Sequence, residues 1–304
     1  MAQIAFADAK RVALVIGNSS YSDLPNLKNP ARDATAIADE LARLGFTAYL
    51  VTDVKQNELD RALDIFQSKA QFAEVALVFF AGHASSVGDQ NFLFSTDFTS
   101  STTEGLNNTV SIARLQNRLR SIGDTQLLFV DACQNGLTLF KDGNSIERQV
   151  FQPLLPPENM LVSYASSFGA AAHDGTGNHS LFAGALLDYM ATPNMDVEIM
   201  LRHVARATFV SSQGRQKPVV LSNLNNGIVL NLDPNQPVPL SEGPNMRSET
   251  HQGFGNKSVL LETKNGIDAP KFLPPQRTKH QEIIGNLCAA ISNPKPKICL
   301  NGRS

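Results

Sequence analysis

The 304-residue sequence predicts an α/β domain: a mostly parallel central sheet flanked by helices on both faces. Three observations carry that expectation. Short, β-branched apolar runs alternate with segments of helical periodicity, the pattern of strands joined through crossover helices. The runs are continuously apolar instead of alternating with polar residues, as strands covered on both faces are. At 42% hydrophobic and 18% charged, with a formal charge of −2, the chain can also bury the core such a sheet needs.

In chain order, Arg11-Val-Ala-Leu-Val-Ile-Gly17 reads as a buried strand ended by glycine. Asn29 is placed to cap a helix that has Pro30 at its first position, where a missing N–H costs nothing. Ala34, Ile37, Leu41 and Leu44 share one face of that helix, and Gly45 ends it. The unit repeats with a strand over 46–51 and a helix from about 57 to 72. A strongly apolar strand over 75–80 then runs into Ala81-Gly82-His83. A helix over about 112–122, stopped by Gly123, feeds a strand over 126–131 that runs into Ala132-Cys133. Residues 134–158 are polar and irregular, long enough to read as a functional or flexible loop. A strand over 160–165, helical patterns over about 180–190 and 196–211, and a last strand over 218–222 complete the pattern. The division is therefore a domain over 1–232 and a C-terminal extension over 233–304, rich in Pro, Asn, Ser and Gly and without periodicity.

Composition narrows the function classes. Lys+Arg (26) and Asp+Glu (28) nearly cancel, no dense basic run occurs, and there is no Trp and only 4 Tyr to stack bases, which argues against nucleic acid as a partner. No apolar stretch nears the roughly 20 residues of a membrane span, so no membrane partner is expected. Residues 1–10 lack a basic region followed by an apolar one, which predicts a cytoplasmic protein. The alternative is a periplasmic or secreted chain whose leader has been removed, in which Cys288 and Cys299 could pair. No CxxC, HExxH or His/Cys cluster has metal spacing, so no metal and no cofactor is expected. Gly17-Asn18-Ser19 is not a GxGxxG phosphate cradle either.

The residues that suggest chemistry are His83 and Cys133. Each follows a buried strand, at the edge of an open α/β sheet where ligands and catalytic groups collect. A cysteine is a useful nucleophile as the thiolate and needs a nearby imidazole. His83 stands 50 residues before Cys133, within Asp131-Ala-Cys-Gln-Asn-Gly136. Read singly, each is as well explained as a packed core residue. Their shared placement favours a dyad.

Four blocks in this order resemble the caspase-like cysteine peptidases, particularly the bacterial metacaspase-like (orthocaspase) branch: Arg11-Val-Ala-Leu-Val-Ile-Gly-Asn18, Leu27-Lys-Asn-Pro-Ala-Arg-Asp-Ala34, Phe79-Phe-Ala-Gly-His83 and Leu128-Phe-Val-Asp-Ala-Cys133. The resemblance spans about residues 10–224 and implies the caspase-like fold and an endopeptidase acting on protein or peptide substrates without a cofactor in the chemistry. It implies that Cys133 attacks the carbonyl, that His83 serves as general base and then acid, and that the backbone N–H groups of Cys133 and Ala84 form an oxyanion hole. Ala84 departs from the glycine usual in the family, and alanine resists positive φ.

Charge bears on specificity. Acidic residues at positions matching Asp33 and Asp131 accompany selection of Arg or Lys in metacaspase-like members, and two converging carboxylates suit a guanidinium or ammonium at P1. The bland alternatives are a solvated helix residue for Asp33 and a cap or loop acceptor for Asp131. Calcium activation would need an acidic cluster, and the stretch from Asp89 to Asp97 supplies no convincing one. His173 and His179 fit a plain polar loop beside the cleft better than a substrate contact. Lys141 and Arg148 match the inferred P1 type and mark possible self-cleavage points. Two other readings accommodate the same residues: a non-catalytic caspase-like interaction module, and a Cys hydrolase with Asp-P1 or non-peptide specificity.

Overall fold

The structure, a computed structural model, describes residues 10–87, 90–99, 108–133, 139–141, 144–146, 154–167, 177–233 and 235. Its strands are β1 (Arg11–Gly17), β2 (Thr47–Thr52), β3 (Val75–Val87), β4 (Gln90–Phe94), β5 (Thr109–Ser111), β6 (Thr125–Cys133), β7 (Leu139–Lys141), β8 (Asn144–Ile146), β9 (Met160–Tyr164) and β10 (Val219–Ser222). Its helices are α1 (Pro30–Arg43), α2 (Gln56–Lys69), α3 (Ile112–Leu119), α4 (Leu181–Met190) and α5 (Val197–Ser211). The main sheet runs β10-β9-β6-β3-β1-β2, parallel except for β10, which pairs antiparallel with β9.

The alternation along β1 shows why the strands read as unbroken apolar runs. Val12, Leu14 and Ile16 pack with Leu59, Leu63 and Phe66 of α2 and with Leu115 and Leu119 of α3. Ala13 and Val15 pack on the opposite face with Ile37 and Leu41 of α1, Phe182 and Leu186 of α4 and Met200, Leu201 and Val204 of α5. Both faces are dry, so both side-chain sets are apolar. At Gly17 the helix presses close: a Cβ there would stand 2.4 Å from the Pro30 carbonyl oxygen. Asn29 precedes α1 as expected, but with helical φ and ψ of −105° and −25°, and its side chain makes no cap bond to the helix; its carbonyl accepts from the Asp33 N–H instead. Gly45 takes φ +86° just past the helix end, where the left-handed turn needs a residue without a Cβ.

Two features differ from the sequence reading. β3 does not stop at the sheet edge; its last residues, Ala84 to Val87, turn into a small antiparallel sheet with β4, which in turn pairs β5. Phe94 and Phe98 stack at 4.1 Å beneath it and form a separate apolar cluster with Tyr21 and Leu24. Within the stretch read as irregular, β7 and β8 form a hairpin in which Lys141 pairs with Asn144. Arg148, His173, Asp89, Cys288 and Cys299 lie outside the described residues, as does nearly all of 233–304.

Candidate active site

β3 and β6 are neighbours in the parallel ladder, and their register ends with Ala81 opposite Asp131, Gly82 opposite Ala132 and His83 opposite Cys133. Neighbouring strands lie about 4.8 Å apart. Residues distant in sequence thus become adjacent through two strand ends that stop at the same level.

His83 is fully buried and held through its backbone and its ring. Its backbone N–H donates to the Tyr21 hydroxyl at 2.8 Å, and the two rings lie 4.6 Å apart, tilted by 59°. Its Nε2 is 2.8 Å from the Pro25 carbonyl oxygen. A carbonyl only accepts, so Nε2 carries the hydrogen and, in the neutral ring, the basic lone pair is on Nδ1. Gly82 makes the approach possible, since a Cβ there would stand 2.5 Å from the Tyr21 hydroxyl oxygen.

The loop that carries Tyr21 and Pro25 is itself tied down. Asn18, fully buried, donates through Nδ2 to the Phe94 carbonyl and accepts at Oδ1 from the Val54 N–H. Asp53, at φ +53°, accepts from the Ser19 and Ser20 N–H groups at 2.7 and 2.8 Å. Asn26 accepts from the Tyr21 N–H at 2.9 Å. Neither Tyr21 nor Pro25 is marked by the sequence reading, and Asn18 enters it as the end of a block that carries the resemblance, with no role of its own. The signal available was a buried-strand terminus followed by Asn, which marks a side chain bonding across loops in place of a backbone ladder.

A second cluster forms where α1 and the start of α4 meet the end of β6. Asp33 comes from the first turn of α1 and is 1% exposed; Asp131, from β6, is 6% exposed. Ser180 lies between them, donating its N–H to Asp33 Oδ2 at 3.2 Å and its hydroxyl to Asp131 Oδ2 at 2.5 Å. His179 Nδ1 is 2.7 Å from Asp33 Oδ1. The structure thus brings Asp33 and Asp131 to one place and adds His179 and Ser180, of which the sequence reading had treated His179 as a loop residue and had not singled out Ser180. Ser180 was legible as the cap of α4, where it accepts from the Ala183 N–H at 2.9 Å.

Ala84 follows His83 in β3, fully buried and in register with Leu93 of β4, and is not among the residues with positive φ. Alanine is therefore no strain here. Lys141 is in β7. Among the described residues no group of three or more His, Cys, Asp and Glu side chains is placed to hold a metal ion, and no helix is long and apolar enough to cross a membrane.

Known proteins share this architecture. The mouse protein "Mucosa-associated lymphoid tissue lymphoma translocation protein 1 homolog" (Mus musculus) is 25% identical over 244 residues, covering 76% of this chain and 27% of that protein. Its human counterpart (Homo sapiens) is 33% identical over 82 residues, 27% of this chain and 10% of that one. The chain thus spans about a quarter or less of these relatives' length. Among solved structures, caspase-1 from Spodoptera frugiperda superposes with a TM-score of 0.57 at 17% identity, over 75% of this chain and 92% of that one. The Drosophila initiator caspase Dronc gives 0.54 at 16%, over 74% and 84%. The profile described as "Caspase domain" matches residues 10–227, which takes in β1 through β10, His83, Cys133 and both acidic residues; the chain belongs to the caspase-domain family of cysteine peptidases.

Proposed function

We propose that this protein is a cysteine endopeptidase of the metacaspase-like kind that cleaves peptide bonds after Arg or Lys. The observation that carries the reading is the final register pair of the β3–β6 ladder, which sets the backbones of His83 and Cys133 side by side at the sheet edge.

In this mechanism His83 Nδ1 takes the thiol proton of Cys133, and the thiolate adds to the scissile carbonyl. Collapse of the tetrahedral adduct returns that proton to the departing amine, leaving a thioester. Water, deprotonated by the same imidazole, then releases the acid and restores the thiol. The Nε2–H bond to Pro25 supports each step, because it fixes the tautomer and stabilises the imidazolium that forms transiently. Along an extended strand successive N–H groups face opposite edges. His83 sends its N–H to Tyr21 on the β1 side, so that of Ala84 faces the β6 side and, with the Cys133 N–H, suits the developing oxyanion.

Asp33 and Asp131 supply the negative charge of the P1 pocket. Buried carboxylates a short way from the dyad favour a guanidinium or ammonium and oppose an acidic side chain. Lys141, within β7, and Arg148 offer the matching residue type for self-processing downstream of Cys133.

Fluorogenic peptides ending in Arg, Lys or Asp test the whole reading. Arg and Lys peptides should be cut, Asp peptides spared, and Cys133→Ala or His83→Ala should each lower kcat at least about a thousandfold, the double variant no further. Turnover by Cys133→Ala, or equal cleavage after Asp and Arg, defeats it. Intact-mass measurement on the same samples should show cuts after Lys141 or Arg148 that are missing from Cys133→Ala.

A further inference from the structure

We propose that His179 and Ser180 are specificity-determining residues of the P1 pocket, fixing the directions in which Asp33 and Asp131 present their carboxylates to a basic side chain. The inference rests on the basic-pocket reading above and adds two residues to it.

Two acidic groups from different elements, one on α1 and one on β6, are both nearly sealed from water. Such groups repel each other and lose hydration, so donors must hold them. Ser180 does this for both. Its Oγ accepts from the Ala183 N–H at 2.9 Å as the cap of α4. A hydroxyl has one hydrogen, and with Ala183 donating inward that hydrogen goes to Asp131 Oδ2. The direction of the bond is thereby set by the start of a helix. The Ser180 N–H goes to Asp33 Oδ2, and His179, whose Nδ1 must donate to an acceptor-only carboxylate, takes Oδ1.

Asp33 therefore has a donor on each oxygen, and Asp131 has Ser180 on Oδ2. Carboxylates held in fixed planes favour the rigid fork of a guanidinium over the point charge of an ammonium. The side chain of His179 is 31% exposed where that of Asp33 is 1% exposed, so the imidazole stands on the solvent side of the acid. Arg32 backs the same turn, its guanidinium donating to the Asn178 carbonyl at 3.3 Å. The consequence is a preference for Arg over Lys that depends on residues which need not touch substrate.

Steady-state kinetics on arginyl and lysyl peptides test this. Ser180→Ala and His179→Ala should each raise KM for the arginyl peptide about tenfold, with a smaller change in kcat, and should narrow the Arg-to-Lys ratio. Ser180→Thr, which keeps the hydroxyl, and His179→Asn, which keeps a donor, should restore most of both. Ser111→Ala is the reference for a lost helix cap, because Ser111 accepts from the Arg114 N–H at the start of α3 and contacts neither acid; it should leave KM as it was. His179→Ala leaves the α4 cap untouched, so it remains informative if Ser180→Ala folds poorly. An unchanged KM in both alanine variants of a protein that prefers Arg overturns this assignment alone, as does an equal rise in Ser111→Ala. An unmutated protein with no preference for basic P1 residues overturns the pocket reading and this inference together.

Discussion

His83 and the Asp33–Asp131 pair stand at the same edge of the sheet, yet the bonds that hold them differ in kind. His83 is fixed by the backbone: its own N–H, the Pro25 carbonyl and the register of two ladders. Tyr21, whose hydroxyl takes that N–H, is itself anchored by the loop. The acids are fixed by side chains and one cap residue, Ser180. Backbone geometry survives most substitutions, whereas a side-chain network changes with a single one. On the proposed reading the chemistry is therefore set by the fold, and the substrate preference by a few exchangeable residues.

The sharpest way to break this contrast is to disturb the backbone beneath His83 while leaving its side chain in place. Gly82→Ala puts a Cβ 2.5 Å from the Tyr21 hydroxyl oxygen and must move either Tyr21 or β3. A displacement of about 1 Å in a catalytic group costs about a hundredfold, so kcat should fall by that order for every peptide, whatever its P1 residue. A loss confined to basic substrates would contradict the division.

The converse change should be selective. Asp131→Asn keeps an acceptor for Ser180 and removes the charge, so kcat/KM for Arg peptides should drop about tenfold to a hundredfold, the value of one charge-assisted contact. Peptides with a neutral P1 residue should change little. A uniform loss across peptides would show that Asp131 supports the dyad instead.

How much of this was legible beforehand follows from the range of the interactions. β1, α1, α2, β6 and β9 were readable because burial on both faces imposes a local pattern of apolar residues. His83 and Cys133 stood out by residue type and by their position after buried strands, and Asp33 and Asp131 through the family resemblance. β4 and β5 were not, since Gln90–Phe94 and Thr109–Ser111 are short and their partners are set by the prolongation of β3 beyond its apolar run. The β7–β8 hairpin carried a signal that was passed over: Asp142-Gly143 stands between its strands, a dipeptide that favours tight reversal. Tyr21 and Pro25 were out of reach, because a hydroxyl and a carbonyl from one loop serve a histidine about 60 residues away, and no period records that.

The smallest effect lies far from the site and tests whether α1 holds Asp33 independently of its outer face. Burial pushes the Glu40 carboxyl above its ordinary range, Arg43 pulls it back, and Asp39 pushes it further up. The folded state therefore keeps this proton to higher pH than the unfolded chain does. The stabilising share is complete in acid and is lost as pH rises through the folded value. Glu40→Gln, uncharged throughout, should gain stability relative to the unmutated protein as pH rises above the ordinary carboxylate range, read as a shift in urea midpoint. The preference for Arg should stay where it was.

β3 belongs to two sheets at once: it pairs with β6 up to His83 and with β4 from Ala84 onward. A strand slipped by one residue turns every side chain to its other face. A slip in the small sheet would therefore reverse the residues next to His83, and one in the large sheet would reverse His83 itself. Under the proposed chemistry, misassembled copies are inert by construction. On that reading, a register error anywhere along β3 is felt at the site as well as in the packing.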